Sequence, residues 1–175
     1  MNQPVAETAY GPVRGTDDGR VMCWKGVRYA APPLGELRFR APQPPQPWTE
    51  PADATRFGKT CPQPPVPNFP MTLGAGPDED CLRLNIWAPS GTQPGDGKPV
   101  MVWLHGGAYV LGSGSQPYYN GQRLAADGDV IVVTCNYRRG VFGFLDRSEV
   151  GFDANVGLRD VLAALRWVQS NIAAF

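Results

Sequence analysis

The stretch VMVWLHGGAYVLGSGS, residues 100–115, decides how this chain reads. VMVWL is an unbroken apolar run, as expected of a strand covered on both faces. It delivers the chain to His105-Gly106-Gly107-Ala108-Tyr109. Glycine takes positive φ at low cost and lets backbone come close to a ligand. Successive N–H groups in such a loop can converge on one point and stabilise an anion. A plain tight turn at a strand end would use the same residues. An anion cradle also needs a group that creates the anion, so the position of a nucleophile decides between the two.

No residue of the chain fits that role. The serines are Ser90, Ser113, Ser115, Ser148 and Ser170, and none stands in a Gly-x-Ser-x-Gly elbow. LGSGSQ follows the glycine loop directly. It lacks the strand–turn–helix setting of an elbow and the spacing of a phosphate loop, and it reads as a flexible loop. Cys135, inside the apolar run VIVVTCNY, reads as a buried inert thiol. His105 is the only histidine. As a strand-end residue before glycines it reads as a ring that shapes the loop, and not as a general base.

The remaining composition narrows the class. The 175 residues suffice for one domain with its own core. Acids and bases number 16 each, without runs, which argues against nucleic-acid and anionic-membrane partners. No stretch approaches the roughly 18 apolar residues of a membrane span. The start, MNQPVAE, has neither the basic nor the apolar part of a signal peptide, so a cytoplasmic protein is expected. Cys23, Cys61, Cys81 and Cys135 with one histidine match no zinc pattern, and no metal or other cofactor is expected. Cys61 and Cys81 flank a loop and could pair, which would be unusual in the cytoplasm.

Two kinds of organisation follow each other. AYGPVRGTDDGRVMCWKGVRYA reads as short strands around a turn at residues 16–19. The proline-rich residues 31–51 exclude helix and central strand and read as an extended wrap. Residues 61–78 form a second Pro/Gly-rich loop. CLRLNIWAP alternates and predicts a half-buried strand with Leu82, Leu84 and Ile86 on its inner face. DVIVVTCNY predicts a strand covered on both sides, and GQRLAADG a short helix ended at Gly128. The last segment places Leu158, Val161, Leu162, Leu165, Val168 and Ile172 at helical spacing, with Asn155 as N-cap. A β-rich front leading into strand–helix–strand–helix is the opening of an α/β sheet.

Taken together, these segments resemble the type-B carboxylesterases, the cholinesterase-like branch of the α/β-hydrolases. GPVRG, KGVRYAAPPLGELRFRAPQP, Trp48, EDCLRLNIWAP, VMVWLHGGAYVLGSGS, NYRRGVFGFL and NVGLRDVLAALRWVQSNIAAF occur in the family's order. The resemblance implies that residues 1–175 are the N-terminal part of one α/β-hydrolase domain. Its sheet would be mixed, mostly parallel, with a β-hairpin front. The family's activity is hydrolysis of small-molecule carboxylic esters through an acyl-enzyme. Gly107 and Ala108 would supply oxyanion-hole N–H groups, Gly106 the flexibility, and Tyr109 part of the pocket. Cys61 and Cys81 match a family disulfide, and Arg38–Glu79 and Arg138–Asp160 match family salt bridges. In that fold the nucleophile would follow roughly a dozen residues after residue 175, and the acid and then the histidine far later. None of the triad is therefore expected before residue 175, and the partner required is the C-terminal remainder, in the same or a separate chain. Arg83 stands where the family often has Tyr. The Cys61–Cys81 segment has no Trp to bind a quaternary ammonium by cation–π attraction, which points away from choline esters. A non-catalytic adhesion module or an inactive short product is the alternative reading.

Overall fold

The computed structural model describes residues 3–65 and 74–175; residues 66–73 of the second Pro/Gly-rich loop lie outside the described residues. Strands β1 (Val5–Thr8), β2 (Gly11–Arg14), β3 (Thr16–Asp17) and β4 (Val21–Arg28) form the front. β5 (Ala52–Asp53) follows the proline-rich wrap, which is irregular apart from a single turn at Gly35–Leu37. β6 (Arg83–Pro89) and β7 (Val100–Leu104) precede helix α1 (Gln122–Gly128) and β8 (Ile131–Cys135). The short α2 (Val141–Phe144) and the long α3 (Val156–Asn171) end the chain. Among the described residues no helix is long and apolar enough to cross a membrane.

The strands make two sheets, β1-β2-β5 and β3-β4-β6-β8-β7. The pairing is mixed: β7–β8 and β2–β5 are parallel, and the other pairs are antiparallel. Parallel neighbours need a crossover, and α1 supplies it between β7 and β8. The expected front turn is present but shifted: Thr16–Asp17 is strand β3, and residues 18–20 join it to β4.

Period-two alternation assigns the faces of the large sheet. Met22, Trp24, Leu84, Ile86 and Val133 pack with Ala164, Trp167 and Val168 of α3, and Phe175 meets the Trp24 ring edge-on at 4.9 Å. Val21, Cys23, Trp87 and Val132 pack with Ala125 of α1 on the other face. β6 is therefore buried on both faces, not half-buried. Asn85 belongs to the face opposite Leu84, and it is satisfied by accepting from the Gly26 N–H and donating to Thr134 Oγ1, each at 2.9 Å.

Four further expectations change. VMVWL is not covered on both faces within this chain: Met101, Trp103 and Leu104 are 49%, 49% and 42% exposed. Among the described residues β7 pairs only with β8 and lies at the edge of the sheet. An apolar run shows that cover is needed, not that the same segment supplies it. In α3 the inward residues are Val156, Gly157, Asp160, Ala164, Trp167, Val168 and Asn171, while Leu158, Leu162 and Leu165 are exposed. That helix is apolar on two sides, and spacing alone does not say which side meets the sheet. Asn155 precedes α3 in a left-handed conformation, φ 54°, and makes no side-chain cap. Its carbonyl instead accepts from the Leu158 and Arg159 N–H groups at 3.0 and 3.1 Å. Likewise Gly128 stays inside α1, and the left-handed closing residue is Asp129.

Candidate active site

The parallel strand β7 ends at Leu104, and the chain then enters an exposed loop. Gly107, Ala108 and Tyr109 take φ of 123°, 52° and 63° in succession. Positive φ at two non-glycine residues costs roughly 1–3 kcal/mol each and persists only where the surroundings enforce it. The enforcement is visible. The Gly107 carbonyl accepts from the Val110 and Leu111 N–H groups, both at 2.9 Å, and the Tyr109 carbonyl accepts from Gly140 N–H at 2.7 Å. Gly107 cannot be replaced easily, because a Cβ there would overlap the Leu111 carbonyl. Among the described residues, the N–H groups of Gly106, Gly107, Ala108 and Tyr109 donate to no protein acceptor. The loop thus presents a run of unspent donors at the end of a rigid strand. Tyr109 is exposed beside it, its ring 5.0 Å from that of Phe144.

His105 lies beneath the loop and is 2% exposed. Its Nδ1 is 2.9 Å from the Gly106 carbonyl oxygen, and its Nε2 is 2.6 Å from Arg139 Nη2. A guanidinium can only donate, so Nε2 carries the lone pair and Nδ1 the proton. Tyr137 stacks on the ring at 4.7 Å and donates its hydroxyl to the His105 carbonyl at 2.8 Å. Burial, and then the charge of Arg139, lowers the His105 pKa to about 4, against the opposing hydrogen bond to Gly106. The ring is neutral and both nitrogens are engaged. It holds the loop and has no free lone pair for general-base work.

The segment after the loop is not flexible. Residues 112–116 are buried. Ser113 Oγ lies 3.0 Å from Thr60 Oγ1 and 2.5 Å from Ser115 Oγ. Gly114 donates to Asn136 Oδ1 at 2.8 Å and accepts from Thr134 Oγ1 at 2.9 Å. Glycine and serine gave the loop a flexible composition, but their small side chains are what allow it to sit between β8 and residues 58–60. Gly112 shows the same point, since a Cβ there would lie 2.6 Å from His105 Nδ1 and 2.9 Å from Arg139 Nη1.

The four charged residues singled out in the sequence form two pairs. Arg38 Nε donates to Glu79 Oε2 at 2.7 Å on a half-exposed surface. Arg138 and Asp160 are fully buried and bidentate, at 2.8 and 2.7 Å, and the Arg138 N–H adds a third bond at 3.0 Å. Cys61 and Cys81 are buried thiols, Cys61 Sγ donating to the Arg139 carbonyl at 3.9 Å, and neither is in a disulfide. Cys135 is buried, and burial pushes its thiol up to about 12, which leaves it inert. Sequence reasoning missed Arg139, Tyr137 and the Arg28–Asp80–Arg83 cluster, in which Asp80 accepts from Arg28 at 2.8 and 2.7 Å and from Arg83 at 3.0 Å. Only the NYRRG stretch, with two arginines at the end of an apolar strand, hinted that charge would be taken inside.

The chain is similar to known proteins along nearly its whole length. The model of the carboxylesterase family matches residues 2–175. Para-nitrobenzyl esterase of Bacillus subtilis (strain 168) is 49% identical over 178 residues, a match covering 100% of this chain and 36% of the relative. Phenmedipham hydrolase of Pseudarthrobacter oxydans is 42% identical over 179 residues, covering 100% of this chain and 35% of the relative. Among solved structures, a thermophilic PNB esterase superposes with a TM-score of 0.91 at 47% identity, over 99% of this chain and 36% of that one. Juvenile hormone esterase from Manduca sexta superposes with a TM-score of 0.92 at 38% identity, over 99% of this chain and 34% of that one. The mixed sheet with its flanking helices is the N-terminal part of an α/β-hydrolase fold. The chain belongs to the carboxylesterase family. It spans about a third of the length of these relatives.

Proposed function

We propose that this chain is the N-terminal part of a serine carboxylesterase that cleaves small-molecule carboxylic esters through an acyl-enzyme, and that its share of the active site is the oxyanion cradle at Gly106, Gly107 and Ala108. The observation that carries this reading is the run of unspent N–H groups in a conformation the fold itself enforces. When a serine attacks the ester carbonyl, the carbonyl oxygen becomes anionic. Donors already held in place by β7, Gly140 and His105 meet that charge without reorganising. One such donor supplies about 3 kcal/mol of transition-state stabilisation. Tyr109, beside Phe144, lines the pocket mouth.

The serine, its histidine and the orienting acid come from the remainder of the enzyme, in the same or a separate chain. The uncovered residues of β7 and the outer leucines of α3 support that partner, since they are apolar surface awaiting cover. Arg138–Asp160, Arg38–Glu79, Cys61 and Cys81 are scaffold and take no part in the chemistry.

The test compares p-nitrophenyl ester hydrolysis by residues 1–175 alone and by the same residues joined to the remainder. The isolated residues give no release above buffer. The joined protein gives a burst of p-nitrophenol as the acyl-enzyme accumulates. Turnover by residues 1–175 alone that depends on His105 would overturn the reading.

A further inference from the structure

Arg139 is 0% exposed, and among the described residues no carboxylate forms an ion pair with it. Its Nη1 donates to the Gly112 carbonyl and its Nη2 to His105 Nε2, and among the described residues its Nε has no partner. The groups around it are the thiols of Cys61, Cys81 and Cys135 and the Tyr137 ring, 5.1 Å from the guanidinium carbon. A buried charge is costly unless paired, so one kept without a carboxylate, with only thiols, one of which its charge helps to lower in pKa, calls for a use.

The hydrogen bonds leading away from it run in a single direction. Arg139 donates to His105 Nε2 at 2.6 Å, and His105 Nδ1–H donates to the Gly106 carbonyl at 2.9 Å. That carbonyl is conjugated with the N–H of Gly107, one of the unspent donors of the loop. Pulling electron density toward a peptide oxygen makes the N–H of the same peptide a stronger donor, and chained hydrogen bonds reinforce one another in a low-dielectric interior. Gly112 is the residue that lets the guanidinium and the imidazole approach this closely.

We propose that Arg139 is a positioning residue whose buried charge, relayed through His105 and the Gly106–Gly107 peptide, strengthens the Gly107 N–H as a donor to the oxyanion. The proposal rests on the carboxylesterase reading for what the donor binds, but not for the relay itself. A relay of this kind acts on the charge that develops in the transition state and leaves ground-state binding alone. It also fixes the tautomer of His105: with the proton on Nε2 the chain of donors would be broken.

Two measurements test it. His105 is the only histidine in the 175 residues, so nitrogen NMR of the labelled chain reads its ring without ambiguity. The native chain shows the Nδ1–H tautomer and a titration midpoint of about 4. In Arg139→Leu the midpoint rises by about one unit or more, and the Gly107 amide proton moves to higher field. Arg139→Lys, which keeps the charge without the planar fork, recovers part of both shifts. In the joined enzyme, Arg139→Leu lowers kcat and the affinity for a trifluoromethyl ketone by about tenfold, with KM unchanged. An Nε2–H tautomer in the native chain overturns the relay without any variant being needed. So does an Arg139→Leu protein whose Gly107 amide shift and kcat match the native values. If the joined protein cleaves no ester, the carboxylesterase reading fails, while the tautomer and amide shifts still decide the relay.

Discussion

Arg138 and Arg139 are consecutive and buried, yet they enter two different environments. Arg138 meets Asp160 of α3 in a bidentate pair and also donates to the Arg40 carbonyl at 2.8 Å. Arg139 meets a neutral imidazole and a carbonyl, and among the described residues it is in no salt bridge. The first is a closed charge pair tying the long helix to the end of β8. The second is an open cation under the glycine loop. A buried pair ties elements together with little electrostatic reach, because its field largely cancels. An unpaired cation weakens the fold and projects its field into the site. One dipeptide thus serves the scaffold with one residue and the loop with the next.

The largest effect that could break this contrast is on stability. Asp160→Asn leaves Arg138 charged and unpaired in the interior, and should cost about 3–5 kcal/mol in urea denaturation. Arg139→Leu removes an unpaired charge, and should cost less than about 1 kcal/mol or stabilise the fold. Equal losses in the two variants would show that the environments do not differ as described. Acidification probes the loop side through its histidine, although burial also raises the Asp160 carboxyl above its ordinary value. His105 takes its proton near the ordinary value of 6.5 when unfolded and near about 4 when folded, where it faces Arg139 and Tyr137. The unfolded chain therefore binds the extra proton between those values. Stability holds above pH 6.5 and falls by about 3 kcal/mol as pH drops toward 4. Denaturation curves that do not change over that window would contradict the neutral, buried ring. The smallest effect belongs to the surface. Glu79→Gln breaks the half-exposed pair with Arg38, and should cost about 0.2–1 kcal/mol, decreasing further in high salt.

The elements that were legible in the sequence were those whose signal is local. The turn at residues 18–20, the apolar strand VIVVTC and the loop HGGAY are all defined by neighbouring residues, and all lie at or close to where the pattern puts them. Arg138–Asp160 and Arg38–Glu79 became legible only through family resemblance, because nothing in spacing joins residues 22 or 41 positions apart. What stayed hidden depends on partners distant in sequence. β7 and the leucines of α3 read as core, since apolar residues announce a need for cover without naming its source. Residues 112–116 read as flexible because Thr60 and Asn136, which pin them, lie 53 and 22 positions away from their partners. Nothing in the sequence singles out Arg139 from Arg138 beside it. Its role follows only from the small space that Gly112 leaves for it next to His105.

The central claim is that the N–H groups of Gly107 and Ala108 receive the oxyanion of an ester under attack. The direct measurement is the crystal structure of the joined enzyme carrying a trifluoromethyl ketone on its nucleophile. The ketone-derived oxygen should lie about 2.7–3.1 Å from both nitrogens, with the loop conformation unchanged. An oxygen bound by other donors, with these two N–H groups still facing solvent, would contradict it.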